Sequence, residues 1–235
     1  MNKNIEKAYL AEQEYLKTDR QGRQLVDILS ELDYTLDKYF NDKKEYLLRK
    51  NKTYIELLDN KSLDDIFDKV TGSMNRCEQA CYLSFNNDLF AWTGTDDFDE
   101  NKAKEYGMQV HKMDYIGGTM IIDKADLSGA ISVSSKLDIN FDYFANKFLE
   151  FLKSKGEQNV ILDNNDILVD GKKVFGGASY RTDDMYVFLF VATFSDNLNI
   201  VKEFCPLNKD KMPGFITKTN SNEMVEEVLS WLKAI

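Results

Sequence analysis

The spacing of hydrophobic and polar positions changes period near residue 75. Before that point the pattern is helical. Residues 3–17 predict a short charged helix and residues 23–49 a long one. In the long one Leu25, Ile28 or Leu29, Leu32, Leu36, Tyr39 or Phe40 and Tyr46 or Leu47 recur at steps of three and four. Its other face is Asp, Glu, Lys and Arg, so it packs against a partner helix, against the main domain, or along a coiled-coil seam with another chain. Ser62, followed by Leu63-Asp64-Asp65, reads as a capping box opening a helix to about Gly72.

Beyond the change, strand patterns take over. Ala80–Phe85 and Leu89–Thr93 predict strands across an Asn86-Asn87-Asp88 turn. Residues 100–106 predict a short helix closed by Gly107. Gln109–Lys112, Gly118–Asp123 and Gly129–Ser134 are three further strand candidates. Asn140–Lys155 is an amphipathic helix with Phe141, Phe144, Phe148, Leu149 and Leu152 on one side and Gly156 at its end. Val160–Leu162, Asp166–Val169, Lys173–Tyr180 and Met185–Phe194 read as strands, and residues 197–204 as a short helix. The last helix, Asn222–Lys233, turns Met224, Val225, Val228, Leu229 and Leu232 inward. Strands cluster in sets with helices between them, which is an α+β pattern. The expected organisation is a helical N-terminal extension, 1–75, and a sheet domain, 76–235.

Composition narrows the function. The 235 residues can bury one good core with a smaller appendage. The formal charge of -10 disfavours nucleic acid, whose backbone is bound mostly by positive charge. No apolar run is long enough to span a bilayer, the longest being Tyr186–Thr193. The Lys/Glu-rich N-terminus does not read as a signal peptide, so a cytoplasmic location is expected. Cys77, Cys81 and Cys205 do not suggest a disulfide scaffold. Cys77 and Cys81 on one helix would share a face as a metal half-site, against the plainer reading of small buried apolar residues. The one histidine, His111, has no obvious partner, and no Ser-His-Asp arrangement is legible without it.

Candidate chemistry concentrates in Asn165–Arg181. Asp170-Gly171 is a hairpin-turn signal, and it places Lys172 and Lys173 on opposite faces. One of them must meet the sheet interior or a cleft, where a lysine can neutralise an anionic ligand; otherwise both are surface lysines flanking a turn. Gly176-Gly177 inside a strand implies close approach of a backbone or a ligand. A second pair, Gly117-Gly118, offers bare amides that could bind phosphate or carboxylate, with Lys112 upstream.

These segments resemble the lipoate/octanoate and biotin protein ligase-transferase superfamily, and lipoate-protein ligases most. In that family Arg-Arg, two residues and Gly-Gly-Gly precede a strand ending His-Asp. An Asn-Asp-Leu strand later leads through a hairpin into Lys-[Val/Ile]-Ser-Gly-Ser-Ala. Here His111-Lys112-Met113-Asp114-Tyr115-Ile116-Gly117-Gly118 through Asp123 is similar to the first segment, and Asn165-Asp166-Ile167 with Lys173-Val174-Phe175-Gly176-Gly177-Ala178 to the second. The resemblance covers roughly residues 76–234. It implies a mixed, mainly antiparallel sheet backed by helices, of the class II aminoacyl-tRNA synthetase and biotin ligase type. It also implies ATP, Mg2+ and lipoate or octanoate as ligands, and a lipoyl-domain-like acceptor protein. By position, Lys173 would contact the acyl carbonyl and phosphate of an acyl-adenylate. Lys112, Gly117, Gly118, Asn165, Gly176 and Gly177 would line the ligand, and Asp166 is the candidate magnesium ligand.

The chain departs from the pattern at several positions. Lys112 and Met113 stand for the two arginines, Ile116 for the first glycine, and Ile122 for the histidine. Ala125-Asp126 stands where the family has Gly-Asn. In the related octanoyl transferases a cysteine is the nucleophile, within Pro-Cys-Gly; Cys205 lies in Glu-Phe-Cys-Pro instead. Three readings follow. One is an ATP-dependent enzyme moving a lipoyl, octanoyl or biotinyl group to a protein lysine. Another is a degenerate ligase-fold protein acting as a binding or assembly module. The third is a structural protein self-associating through helix 23–49.

Overall fold

A computed structural model describes residues 3–17, 24–50, 54–59, 63–85, 88–94, 96, 98–112, 119–137, 139–204 and 212–234. The chain divides into two compact units, Met1–Lys52 and Thr53–Ile235.

The first unit holds α1 (Lys3–Lys17), α2 (Leu25–Ser30) and α3 (Leu36–Lys50). The continuous helix expected over 23–49 is broken. Asp33 adopts φ +59, Tyr34 N–H reaches Leu29 O at 3.0 Å, and Asp33 N–H reaches Ser30 O at 3.1 Å. This is the left-handed closure that ends helices, here at an Asp rather than a Gly. Thr35 Oγ1 then accepts from Lys38 N–H and starts α3. The break interrupts the seam on which self-association was read. The unit buries Ile5, Ala8, Leu29, Tyr34, Tyr39 and Tyr46. Within it Glu12 is buried and accepts from Tyr39 Oη at 2.8 Å and Lys43 Nζ at 2.6 Å.

The second unit begins with β1 (Tyr54–Asp59) and α4 (Leu63–Asn75). Both fall inside the segment that the sequence pattern grouped with the helical extension. Strand β1 pairs in parallel with β2 (Ala80–Phe85), and Glu56 holds Lys69 of α4 at 2.9 Å. Ser62 lies outside the described residues. After β2 come β3 (Phe90–Thr93), α5 (Glu100–Glu105), β4 (Gln109–Lys112), β5 (Thr119–Ile122) and β6 (Leu127–Ser134). Helix α6 (Phe141–Ser154) follows, capped by Asn140 Oδ1, which accepts from Tyr143 N–H. The rest is β7 (Val160–Asp163), β8 (Asp166–Val169), β9 (Lys172–Arg181), β10 (Met185–Ala192), α7 (Leu198–Phe204), β11 (Met212–Pro213) and α8 (Ser221–Ala234).

Eight strands form one sheet in the order β1-β2-β6-β10-β9-β8-β7, with β11 beside β9. Only β1–β2 and β9–β11 are parallel in it, so the sheet is mixed and mainly antiparallel, as expected. Strands β2 and β3 do not form a hairpin. Strand β3 leaves for a second, three-stranded sheet, β4-β3-β5, and Asn86 and Asn87 between them lie outside the described residues.

Core residues alternate between the two faces of the large sheet. On one face Phe144, Phe148 and Leu152 of α6 and Val225 and Val228 of α8 pack on Phe175, Phe188 and Phe190. On the other, Leu63, Ile66 and Val70 of α4 join Tyr82, Ala130, Val187 and Leu189 of the large sheet with Phe90, Trp92 and Ile122 of the small one. The space between the two sheets, beside α4, is where the candidate site lies. No helix among the described residues is long and apolar enough to cross a membrane.

Candidate functional site

The site is set by the β8–β9 hairpin. Its two turn residues both have positive φ, +49 at Asp170 and +74 at Gly171, the geometry that matches the twist of a two-residue hairpin. Register then slips once: Ile167 faces Phe175 but Leu168 faces Lys173. Val174 is the extra residue, so this is a β-bulge. Val174 and Phe175 both enter the core beneath α6. The bulge therefore turns Lys173 to the opposite face, together with Gly176. Strict alternation would have put Lys173 on the face of Phe175.

On that face Lys173 Nζ lies 2.9 Å from Asp166 Oδ1. Asp166 is directly across from Gly176 in the ladder. A Cβ at Gly176 would sit 3.0 Å from Lys173 Cε, 3.1 Å from its Nζ and 3.3 Å from Asp166 Oδ1. The bare Cα is thus the floor on which the ion pair rests. Lys172 goes the other way, its Cβ filling the space a side chain at Gly214 would need, 2.6 Å from that Cβ position.

Lys173 and Asp166 are the charged end of a cleft of about 220 Å³. Its large-sheet wall is Gly176, Gly177 and Ala178 of β9 and Leu189, Phe190 and Val191 of β10. Across from them stand Leu63 of α4, Trp92 of β3, and Thr119 and Met120 of β5. Thr119 Oγ1 shares a hydrogen bond of 2.7 Å with Thr93 Oγ1. A mostly apolar cavity with one ammonium at its edge suits an amphipathic anion.

The remaining expected site residues are distributed as follows. Gly177 lines the cleft, yet its smallness serves packing. A Cβ there would lie 2.9 Å from the Leu189 carbonyl oxygen and 3.0 Å from Phe141. Backbone cannot yield as a flexible side chain can, so Gly177→Ala should cost about 1–3 kcal/mol, read as a lower urea midpoint with an unchanged slope. Asn165 is exposed in the β7–β8 turn. Its carbonyl accepts from Gly177 N–H at 3.0 Å, so it supports the cleft floor without lining it. Lys112 sits on β4, bonded to Glu100 at 2.7 Å, and that carboxylate holds its ammonium pKa above the ordinary lysine range. It is not among the cleft-lining residues. Gly117, Gly118, Met113, Ile116 and Cys205 lie outside the described residues.

Cys77 and Cys81 share no helix: Cys81 is in β2, and Cys77, with φ +53, follows α4. Burial pushes the Cys81 thiol up, which keeps it protonated and inert. No group of three or more His, Cys, Asp or Glu able to hold a metal occurs among the described residues. His111 does have a neighbour, Asp64 Oδ2, at 3.6 Å. One further residue escaped the sequence reading. Asp126 is fully buried. Its Oδ1 accepts from Phe194 N–H, Ser195 N–H and Ser195 Oγ–H, and its Oδ2 from Asp123 N–H. It ties the β5–β6 turn to the end of β10, the strand that walls the cleft.

No protein-family model and no curated protein matches the sequence. Solved structures do match. P. falciparum LipL1 in complex with lipoate aligns at a TM-score of 0.59 and 16% identity over 77% of this chain and 60% of that one. The bipartite lipoate protein ligase of Thermoplasma acidophilum, solved with its E2 lipoyl domain, aligns at 0.60 and 12% identity over 77% and 82%. A lipoate-protein ligase A bound with ATP aligns at 0.54 and 16% over 77% and 82%. The chain thus spans less than two thirds of the LipL1 chain and most of the other two. It has the fold of the lipoate-protein ligases.

Proposed function

We propose that this protein activates a lipoyl, octanoyl or biotinyl carboxylate with ATP and transfers the acyl group to a lysine of a lipoyl-domain-like acceptor protein. The observation that carries the reading is the bulge at Val174. It aims Lys173 into an apolar cleft, onto Asp166, over a glycine that leaves room for a ligand atom. In this reading the acyl tail lies against Leu189, Val191 and Trp92, and the carboxylate end meets Lys173. Activation places negative charge on phosphate and carbonyl oxygens, and a fixed ammonium with bare backbone beside it stabilises that charge as it develops. Asp166 orients the ammonium. Asp166 would be the residue to hold Mg2+, an ion that commonly takes one or two carboxylates. Mg2+ would supply charge neutralisation on the nucleotide phosphates.

Incubating the protein with ATP, Mg2+ and each of lipoate, octanoate and biotin should release pyrophosphate and leave an acyl-adenylate detectable by mass spectrometry. No adenylate with any of the three would reject the enzymatic reading. It would favour the second one, a ligase-fold binding module, which the tie between Lys112 and Glu100 supports. That tie commits elsewhere the lysine aligned with the family's arginine pair.

A further inference from the structure

His111 and Asp64 join the small sheet to α4 at the rim of the cleft. His111 is the chain's single histidine and stands on β4, directly beside Trp92 in the β3–β4 ladder. Asp64 lies in the first turn of α4, next to Leu63. Leu63 and Trp92 both line the cleft, so each partner adjoins a cleft-lining residue on a different element. His111 Nδ1 is 3.6 Å from Asp64 Oδ2, just beyond hydrogen-bond length. The imidazole is braced by Phe90, which it meets edge-on with centroids 5.5 Å apart. Neighbouring ion pairs do not make this crossing. Glu56 with Lys69 joins β1 to α4, Glu100 with Lys112 joins α5 to β4, and Lys102 with Glu203 joins α5 to α7.

The Asp64 carboxylate is poorly supported when His111 is neutral. Its Oδ1 is shielded from solvent and has no hydrogen-bond partner. Burial pushes the Asp64 carboxyl up, the His111 charge pulls it back, and Asp65 and Asp68 of the same helix push it up again. Strands β2 and β6, on which α4 packs, carry no charged residue. Helix α5, which packs on β4, brings Glu100 and Lys102, both paired, with Lys104 and Glu105. The protonated imidazole is thus the cation that faces Asp64, and imidazole changes charge between about pH 5 and 8. We propose that His111 and Asp64 form a pH-sensitive latch, which draws the small sheet onto α4 and closes the cleft when the imidazole is protonated. The small sheet carries Trp92, Thr119 and Met120 of the cleft wall, so its attachment sets the opening. The latch is made where His111 is charged and Asp64 ionised. It is lost as pH rises through the imidazole range, and again in acid when Asp64 takes a proton. The two side chains are 29% and 36% exposed, so solvent screens the pair, and the bias toward the closed cleft is about two- to fivefold. The inference uses the geometry of the cleft and does not depend on which ligand the cleft holds.

Hydrogen exchange on the full chain tests the latch without a ligand. At one pH the parent and a variant share intrinsic rates in β3 and β5, which carry neither substitution, so their ratio reports local opening. At about pH 6, Asp64→Asn and His111→Gln should each speed exchange in Phe90–Thr93 and Thr119–Ile122 about two- to fivefold, and the double variant no more than either alone. At about pH 8, where imidazole is neutral, the excess should vanish. Strands β9 and β10 should exchange alike in all four proteins. Asp126 is present in every one, so its own titration cancels. Equal exchange at both pH values overturns the latch. So does an excess that persists at the higher pH, because packing rather than charge would then be responsible. Equal acceleration of β9 and β10 also overturns it, since the pair would then steady the whole fold and not the cleft. If Asp64→Asn does not fold, His111→Gln against the parent at the two pH values decides the matter alone.

Discussion

Lys173→Ala should lower adenylate formation by about 100- to 1,000-fold, the loss seen when one preorganised donor to a developing oxyanion is removed. Fold stability should hardly change. Lys173 is 39% exposed at its side chain and its pairing with Asp166 is open to solvent, so the pair contributes about 1 kcal/mol or less. The alanine variant should therefore melt within a few degrees of the parent while losing turnover. Lys173→Arg sharpens the test. It keeps the charge, but the planar guanidinium must occupy space that Gly176 leaves for a narrow ammonium, with a hypothetical Cβ already only 3.1 Å from Nζ. Arginine should rescue little of the activity. Full rescue would mean that charge alone suffices and that the aim given by the bulge is unimportant. Unchanged turnover in the alanine variant would remove Lys173 from the chemistry.

The lysine could be located in the sequence, but its direction could not. Asp170-Gly171 announces the turn because so few residue pairs accept two positive φ values. Asn140 and the Phe141-Phe144-Phe148 stripe likewise announce α6. The bulge at Val174 has no comparable signature. A β-branched residue sits comfortably in regular or bulged strand, and only the long-range fit of Val174 and Phe175 beneath α6 selects the bulge. The break at Asp33 was hidden for a related reason. The apolar spacing runs on through it, and an Asp in the left-handed region replaces the glycine that usually marks a helix end. Thr35, a good N-cap residue followed by Asp37, was the available signal. Strand β1 was missed because it is an edge strand with Tyr54 and Leu57 exposed, which blurs the alternation by which strands are recognised.

The two halves of the expected site also differ in what sequence can say. Gly176 and Gly177 look alike as a pair, yet a side chain would meet an ion pair at the first and a carbonyl oxygen and aromatic ring at the second. Only the first glycine lies beneath the Lys173–Asp166 pair. Lys112 aligned with a functional position by order along the chain, but order does not fix what a flexible exposed side chain meets. Here it meets Glu100.

Asp126→Ala should destabilise the protein by about 3–5 kcal/mol, the largest stability effect expected of a single substitution here. Its partners Phe194 and Ser195 are 68 and 69 residues away in sequence, which is why the residue looked like a mere departure from a motif. Removing the carboxylate leaves three backbone N–H groups and the Ser195 hydroxyl without their acceptor in a buried site. Against a typical net stability of about 5–15 kcal/mol, that loss should loosen the end of β10 and with it the Leu189–Val191 wall of the cleft. Asp126→Asn keeps an oxygen for the Phe194 and Ser195 donors but turns an NH2 toward Asp123 N–H, so it should cost less, about 1–3 kcal/mol. Burial pushes the Asp126 carboxyl up from 3.8 to about 6, outweighing the hydrogen bonds that pull it down. The folded state therefore binds a proton that the unfolded state has released between these values. The associated stability is fully present below pH 4 and is lost as the pH rises through 6. It amounts to a few kcal/mol at most. Urea unfolding of the parent and of Asp126→Asn from pH 4 to 7.5 isolates this contribution, since the other carboxylates titrate alike in both. The gap between the two should narrow as pH rises and level off above pH 7. A gap that widens instead would show that the four donors outweigh burial and that Asp126 is an ordinary ionised anchor.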